Sequence, residues 1–195
     1  MPLLPLADHL HESAKLIAAM ATFPSAPQVD RAVAKIIHAF RHHKPLLVCG
    51  NGGSASDACH IAGELVGRFL KERQALKCIA LAGDPAILTA LGNDFGYESI
   101  FARQVEAYGE PGGVLLGIST SGNSANVVAA FKTARTLQMT TVALTGAGGG
   151  KLAEYCDILI DVPSTHTPYI QQIHLCLYHY ICEAVEAGFV GGHGG

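Results

Sequence analysis

Ser119-Thr120-Ser121-Gly122-Asn123-Ser124 follow directly on the apolar run Leu115–Ile118 and precede Ala125–Phe131, which reads as the start of a helix. A buried strand that ends in hydroxyls and opens a helix aims backbone N–H groups, the positive end of the helix dipole and several O–H donors at one point. That combination suits a phosphate. The cluster carries no lysine, so it fits a phosphomonoester that is held better than one being transferred. The competing reading is an ordinary polar loop between strand and helix.

A second turn has the same build. Asn51-Gly52-Gly53-Ser54-Ala55-Ser56 follows the run Leu46–Cys49, with glycines that let backbone approach a ligand and serines that can cap or donate. A tight turn explains it equally well, yet two such loops at strand ends reinforce each other. The third, Thr145–Gly150, has few polar side chains and reads as structural. The helix after the first loop carries His60 and Glu64 at i,i+4, on one face, where they either chelate a divalent metal or form a surface pair. Arg68 continues that face, to bridge Glu64 or to meet a substrate oxyanion. Further on, Gln171, His174 and His179 lie off an apolar stripe of Ile170, Ile173, Leu177, Ile181 and Val185, as ligands or as a solvated face. Thr167 reads as the N-cap of that helix and Pro168 as its first position. Asn93 and Asp94 read as a turn between two helices, with an Asx cap.

The elements that must position these residues follow from periodicity. Residues 6–22 and 27–43 have helical apolar spacing and form an arm ahead of an alternating part. Strands are predicted at 46–49, 76–81, 114–118, 140–144 and 158–161, and helices at 54–70, 85–92, 98–107, 124–137, 149–155 and about 168–188. Short apolar runs alternating with helices imply an α/β fold: a five-stranded, parallel, doubly wound (flavodoxin-like) sheet flanked by helices, with ligands at the carboxyl ends of the strands. The expected organisation is a single domain: the N-terminal helical arm over 1–44, the α/β core over 45–190 and a flexible tail over 191–195.

Composition narrows the function classes. A chain of 195 residues with 49% hydrophobic and 15% charged residues builds one sizeable core. A net charge of −3 without a basic run argues against nucleic acid as the main ligand. No apolar run reaches the length that spans a bilayer, and the start lacks the positive region of a signal peptide. The cysteines at 49, 59, 78, 156, 176 and 182 form no CxxC pair and read as reduced, mostly buried thiols. The chain is therefore expected to be cytoplasmic, free of membrane.

Asn51-Gly52-Gly53-Ser54-Ala55-Ser56, His60-x-x-x-Glu64, Asn93-Asp94-Phe95, Ser119–Ser124 and Gln171…His179, in this order, resemble the phosphoheptose isomerase family of the sugar-isomerase (SIS) fold. The resemblance runs along nearly the whole chain. It implies a ketose–aldose isomerase that converts sedoheptulose 7-phosphate to D-glycero-D-manno-heptose 7-phosphate, the first step towards nucleotide-activated heptose for lipopolysaccharide core or capsule. On that resemblance Ser119, Thr120, Ser121 and Ser124 hold the phosphate, and Asn51, Gly52, Gly53, Asn93 and Asp94 hold the sugar chain. His60, Glu64, Gln171 and His179 bind one zinc ion per subunit, with Glu64 and Gln171 also touching substrate. Glu64 and His179 become the candidate acid–base pair, and a homotetramer is implied.

Gln171 and His179 are eight residues apart, which on a straight helix is about 12 Å of rise and some 80° of rotation. One metal ion can hardly meet both. The site therefore joins helices of different subunits, the preferred reading, or Gln171 sits in a distorted first turn. The rival class is a binding module such as the DnaA initiator-associating protein, which shares the SIS core and lacks the acidic residue matching Glu64. A sugar-phosphate-sensing regulator would need a DNA-binding domain for which length and charge leave no room.

Overall fold

In the computed structural model, which describes residues 5–190, two helices precede the sheet: α1 (Leu6–Met20) and α2 (Ala26–Arg41). Then strands and helices alternate: β1 (Leu46–Gly50), α3 (Gly53–Val66), β2 (Cys78–Ala80), α4 (Pro85–Phe95), α5 (Ile100–Tyr108), β3 (Val114–Ser119), α6 (Ala125–Thr136), β4 (Thr140–Thr145), β5 (Ile158–Asp161) and α7 (Thr167–Ala187). Single 3-10 segments at Tyr97–Ser99 and Gly150–Glu154 fill the joins. The tail expected at 191–195 lies outside the described residues.

All five strands are parallel, in the order β2-β1-β3-β4-β5. Successive side chains of a strand point to opposite faces, and the two cores divide accordingly. Leu46, Val48, Leu116, Ile118, Val142 and Leu144 face α2, α3 and α7, whereas Leu47, Cys49, Leu115 and Ala143 face α5 and α6. Both faces are covered, so strands read as continuous apolar runs, not as alternating ones. The chain order reverses between β1 and β3. The connections leaving these two strands depart to opposite faces, and a crevice opens between their carboxyl ends.

Several boundaries shift from the sequence-based expectation, each for a local reason. Helix α3 ends at Val66 instead of 70 because Gly67, at φ −77° and ψ −115°, turns the chain out of the helix. The segment beyond it is tied to α7: the backbone N–H groups of Phe69, Leu70 and Lys71 donate to the Glu186 carboxylate at 2.8, 2.7 and 2.8 Å, and the Arg73 guanidinium lies 3.5 Å away. Both charged side chains are buried. Desolvation pushes the Glu186 carboxyl up, but the three N–H donors and Arg73 outweigh it and hold it below the usual carboxylate range. Glu186→Gln leaves a buried guanidinium without its counter-charge and should cost about 3 kcal/mol, read as a lowered urea midpoint.

Helix α4 runs on to Phe95, stopped by Gly96 at φ +80°, so Asn93 and Asp94 lie in its last turn and not in an Asx-capped loop. The Asx cap is instead at the other end, where Asp84 accepts from the N–H groups of Ala86 and Ile87. At α7 the N-cap is His166, one residue before the expected Thr167. The segment predicted as a helix at 149–155 is the tighter 3-10 turn, and β2 shrinks to three residues. Three of the six cysteines, 49, 78 and 182, are buried; Cys59 and Cys176 are exposed, against the expectation of mostly buried thiols.

His174 differs most from expectation: it is fully buried, not on a solvated face. Its Nε2–H donates to the Thr145 carbonyl at 3.2 Å, while Nδ1 is buried with no partner. Burial pulls its pKa down to about 4. As pH falls below 6.5, the unfolded chain takes up a proton that the folded chain refuses until about pH 4. Stability is therefore undiminished by this group above pH 6.5 and lost progressively below it. Urea unfolding at pH 7 and pH 5 should show roughly 2 kcal/mol of acid destabilisation that disappears in His174→Leu, since one pK unit is about 1.4 kcal/mol.

Candidate active site

The crevice between β1 and β3 holds the two loops singled out in the sequence. Ser119 ends β3, and its Oγ lies 2.9 Å from Ser124 Oγ at the start of α6. Between them the chain turns tightly, with Gly122 N–H donating to the Ser119 carbonyl and Asn123 N–H to Ser121 Oγ. Gly122 has φ +65°, and a Cβ there would meet the Gly149 carbonyl oxygen at 2.0 Å. The third glycine loop thus buttresses this one. Gly146 N–H donates to the Thr120 carbonyl, and Lys151 N–H to Asn123 Oδ1. Ser124 pairs with Ser119 and makes no side-chain cap bond, so it does not take up the first N–H groups of α6, which can serve a ligand as donors.

Across the crevice Asn51 pairs with Asn126 through two amide hydrogen bonds of 2.9 and 2.8 Å. The Tyr97 hydroxyl donates to Asn51 Oδ1 at 2.8 Å, and Asn126 Oδ1 accepts from Val127 N–H at 2.9 Å. Gly52, at φ +56°, makes the turn that starts α3. At Gly53 a Cβ would sit 2.5 Å from Gln171 Nε2, so glycine is what lets the α7 amide lie on this loop. Asn51, Gly52, Gly53, Ser119, Thr120, Ser121, Ser124 and Gln171 are thus gathered at one end of the sheet. Asn93 and Asp94 are exposed on α4, hydrogen-bonded to each other at 2.8 Å. Neither Asn126 nor Tyr97 stood out in the sequence. An asparagine in the first turn of an otherwise apolar helix was the available signal for the former.

The remaining candidates lie further along the seam between α3 and α7. Gly53 meets Gln171 and His60 meets His179, so the two helices run side by side in the same direction. His60 Nε2 is 3.0 Å from Glu64 Oε1, and its Nδ1 is 3.1 Å from the Tyr178 hydroxyl. The His179 ring stands 5.1 Å from that of His60 and 5.7 Å from Phe69, which the Glu186 clamp holds in place. The Tyr178 hydroxyl donates to Asp57 Oδ1 at 3.4 Å. Burial raises the Asp57 carboxyl above its ordinary range, with the Tyr178 hydrogen bond and His60 acting against it. Arg68 is exposed, and the buried guanidinium of this region is that of Arg73.

Imidazole nitrogen facing a carboxylate oxygen is a donor set that suits zinc. Among the described residues, however, no three His, Cys, Asp or Glu side chains gather closely enough to hold a metal ion. Helix α7 is α-helical from Thr167, its first turn closed by the Ile170 N–H bond to the His166 carbonyl at 3.0 Å. Gln171 is therefore not in a distorted turn, and it stays about 12 Å along the axis from His179. Within one chain Glu64 and the His179 ring each lie against His60 without closing a three-ligand set, and Gln171 lies elsewhere. An apolar groove of about 280 Å³ between α1, α2 and α7, lined by Ile17, Met20, Val29 and Tyr180 among others, is separate from both groups.

A hydroxyl-rich loop and an amide-lined crevice at the β1/β3 switch point of a parallel sheet fit the SIS class of proteins, and the family model for the SIS domain matches residues 8–146. The curated relatives narrow this. The phosphoheptose isomerase of Rhodospirillum rubrum is 52% identical over 161 residues, covering 83% of this chain and 86% of its own. That of a Bradyrhizobium species is 48% identical over 186 residues, covering 95% and 94%. The solved phosphoheptose isomerase of Neisseria gonorrhoeae superposes with a TM-score of 0.87 at 39% identity, over 93% of this chain and 97% of that one. The chain belongs to the phosphoheptose isomerase family and is an enzyme that interconverts an aldose and a ketose. A non-catalytic binding module is not favoured.

Proposed function

We propose that this enzyme interconverts sedoheptulose 7-phosphate and D-glycero-D-manno-heptose 7-phosphate, supplying nucleotide-activated heptose for lipopolysaccharide core or capsule. The observation that carries the substrate is the 48% identity to a phosphoheptose isomerase across 95% of the chain. Ser119, Thr120, Ser121 and Ser124 take the phosphate. Asn51, Gly52, Gly53, Asn93, Asp94 and Gln171 hold the sugar chain.

Isomerisation moves hydrogen between C1 and C2 through an enediol. Glu64 removes the proton from C1 of the ketose, and that electron pair becomes the C1=C2 double bond while O2 takes a proton. His179 passes a proton between the two oxygens. The proton held on Glu64 returns to C2, the carbonyl forms at C1, and both side chains end as they began. Zinc held by His60, Glu64, Gln171 and His179 would polarise the carbonyl and stabilise the enediolate charge. A carboxylate bound to metal is a poorer base, so Glu64 takes its two roles in turn.

Four ligands on one zinc require a second chain, because Gln171 and His179 are too far apart along one helix. The active enzyme is then a homo-oligomer, a tetramer with its sites at subunit interfaces. Exposed Leu6 and Leu10 on α1, exposed Leu175 on α7 and exposed Tyr180, which lines the apolar groove, support such contacts. No described helix is long and apolar enough to cross a membrane. The enzyme acts in the cytoplasm, without membrane or nucleic acid. The test is isomerisation of sedoheptulose 7-phosphate by chelator-stripped protein before and after zinc is returned. Turnover restored by zinc is the expected result. No turnover in either state, with the oligomer intact, would overturn the assignment.

A further inference from the structure

His60 has an oxygen at each ring nitrogen, and only one of them belongs to a candidate ligand. Glu64 Oε1 lies 3.0 Å from Nε2, whereas the Tyr178 hydroxyl lies 3.1 Å from Nδ1 and reaches on to Asp57 Oδ1 at 3.4 Å. Asp57 precedes His60 by three residues on α3, so both stand on one face of that helix. Tyr178 comes across the seam from α7 and fills the space between them. It is almost wholly buried, 1% exposed, and a buried phenol must place its O–H on an acceptor. A carboxylate can only accept. With the Tyr178 proton given to Asp57, the phenol oxygen accepts from His60 Nδ1–H, and the lone pair of the neutral imidazole is left on Nε2, beside Glu64. The other carboxylate oxygen of Asp57 is buried without a partner, so nothing else within hydrogen-bond reach competes for it.

We propose that Asp57 and Tyr178 are positioning residues: they fix the ring orientation and tautomer of His60, so that Nε2 meets a divalent metal together with Glu64. This rests on the reading of His60 and Glu64 as metal ligands and adds the hydrogen-bonded support behind them. Metal-bound histidines generally donate their other N–H to a carboxylate or carbonyl, and removing that partner weakens metal affinity. Here the support is relayed through a phenol from a second helix. The relay therefore also locks α7, which carries His179, to α3, which carries His60 and Glu64.

The test uses the full-length oligomer stripped of metal, with zinc affinity read by competition against a chromophoric chelator at one fixed pH. Tyr178→Phe keeps the ring and loses the relay, and zinc should bind roughly 10- to 100-fold more weakly. Asp57→Asn keeps the packing and should weaken binding in the same direction. The double variant should be no weaker than Tyr178→Phe alone, because the two groups act in series. Thermal unfolding of the metal-free proteins reports any loss of fold, and if Tyr178→Phe does not fold, Asp57→Asn carries the comparison. In the zinc-loaded wild type, nitrogen NMR should show His60 protonated at Nδ1 and coordinated through Nε2. Coordination through Nδ1, or unchanged zinc affinity in both folded variants, would overturn the relay alone. A wild-type protein that takes up no zinc would defeat the metal reading, and the relay would fall with it.

Discussion

Glu64→Gln is expected to lower turnover of sedoheptulose 7-phosphate by roughly 10²–10⁴-fold, the range a positioned general base contributes, with little change in KM. The substitution preserves the volume and reach of the side chain and its place 3.0 Å from His60 Nε2, but replaces the carboxylate proposed to take the proton with a non-basic amide. The proposed phosphate site, the Ser119–Ser124 loop at the crevice, does not include Glu64, so substrate should still bind. The fold should be unaffected, since Glu64 is half-buried on the α3 surface and is no part of the Glu186 clamp. Isotope exchange separates base from ligand. In heavy water the wild type should wash deuterium into C2 of the aldose, and Glu64→Gln should not, even where its zinc content is restored. Full turnover, or undiminished exchange, would show that another group is the base.

The candidate ligand loops were legible because their signals are local. Hydroxyls after an apolar run mark a strand end wherever the strand sits, and the Ser119–Ser124 loop lies at the carboxyl end of β3 for that reason. The sheet order was legible as a class, since alternation with helices forces parallel strands and the crevice forms at the reversal between β1 and β3. What escaped depends on distant partners. Nothing local marks Glu186 as the acceptor for three N–H groups more than a hundred residues away. His174 looked solvated because it lies off the apolar stripe, yet α7 is packed on more than one side and its imidazole reaches the Thr145 carbonyl. Asn93 and Asp94 were misplaced because an Asn-Asp pair after a glycine resembles a turn, while the helix capped by Asp84 persists to Phe95.

Mixing two inactive variants is expected to restore activity. Gln171→Ala and Glu64→Gln each damage every site of the proposed homo-oligomer and should each be nearly inactive. Within one chain Gln171 lies on Gly53, while Glu64 is held beside His60 further along the same seam. Two residues eight apart on a regular α-helix, Gln171 and His179, cannot both reach one metal ion. The geometry is satisfied if the crevice of one subunit, with its Gln171, faces the partner subunit's Glu64, so that each site draws on two chains. Co-assembled from equal amounts of the two variants, about a quarter of the sites then combine an intact Gln171 with an intact Glu64, and about a quarter of wild-type turnover should return. If the whole site belonged to one chain, every site in the mixture would keep one lesion and no turnover would return. The measurement is turnover of hybrids co-expressed with different tags and purified through both, against each variant alone. Dilution that separates the subunits should abolish the restored activity and the wild-type activity together, because neither chain then completes a site.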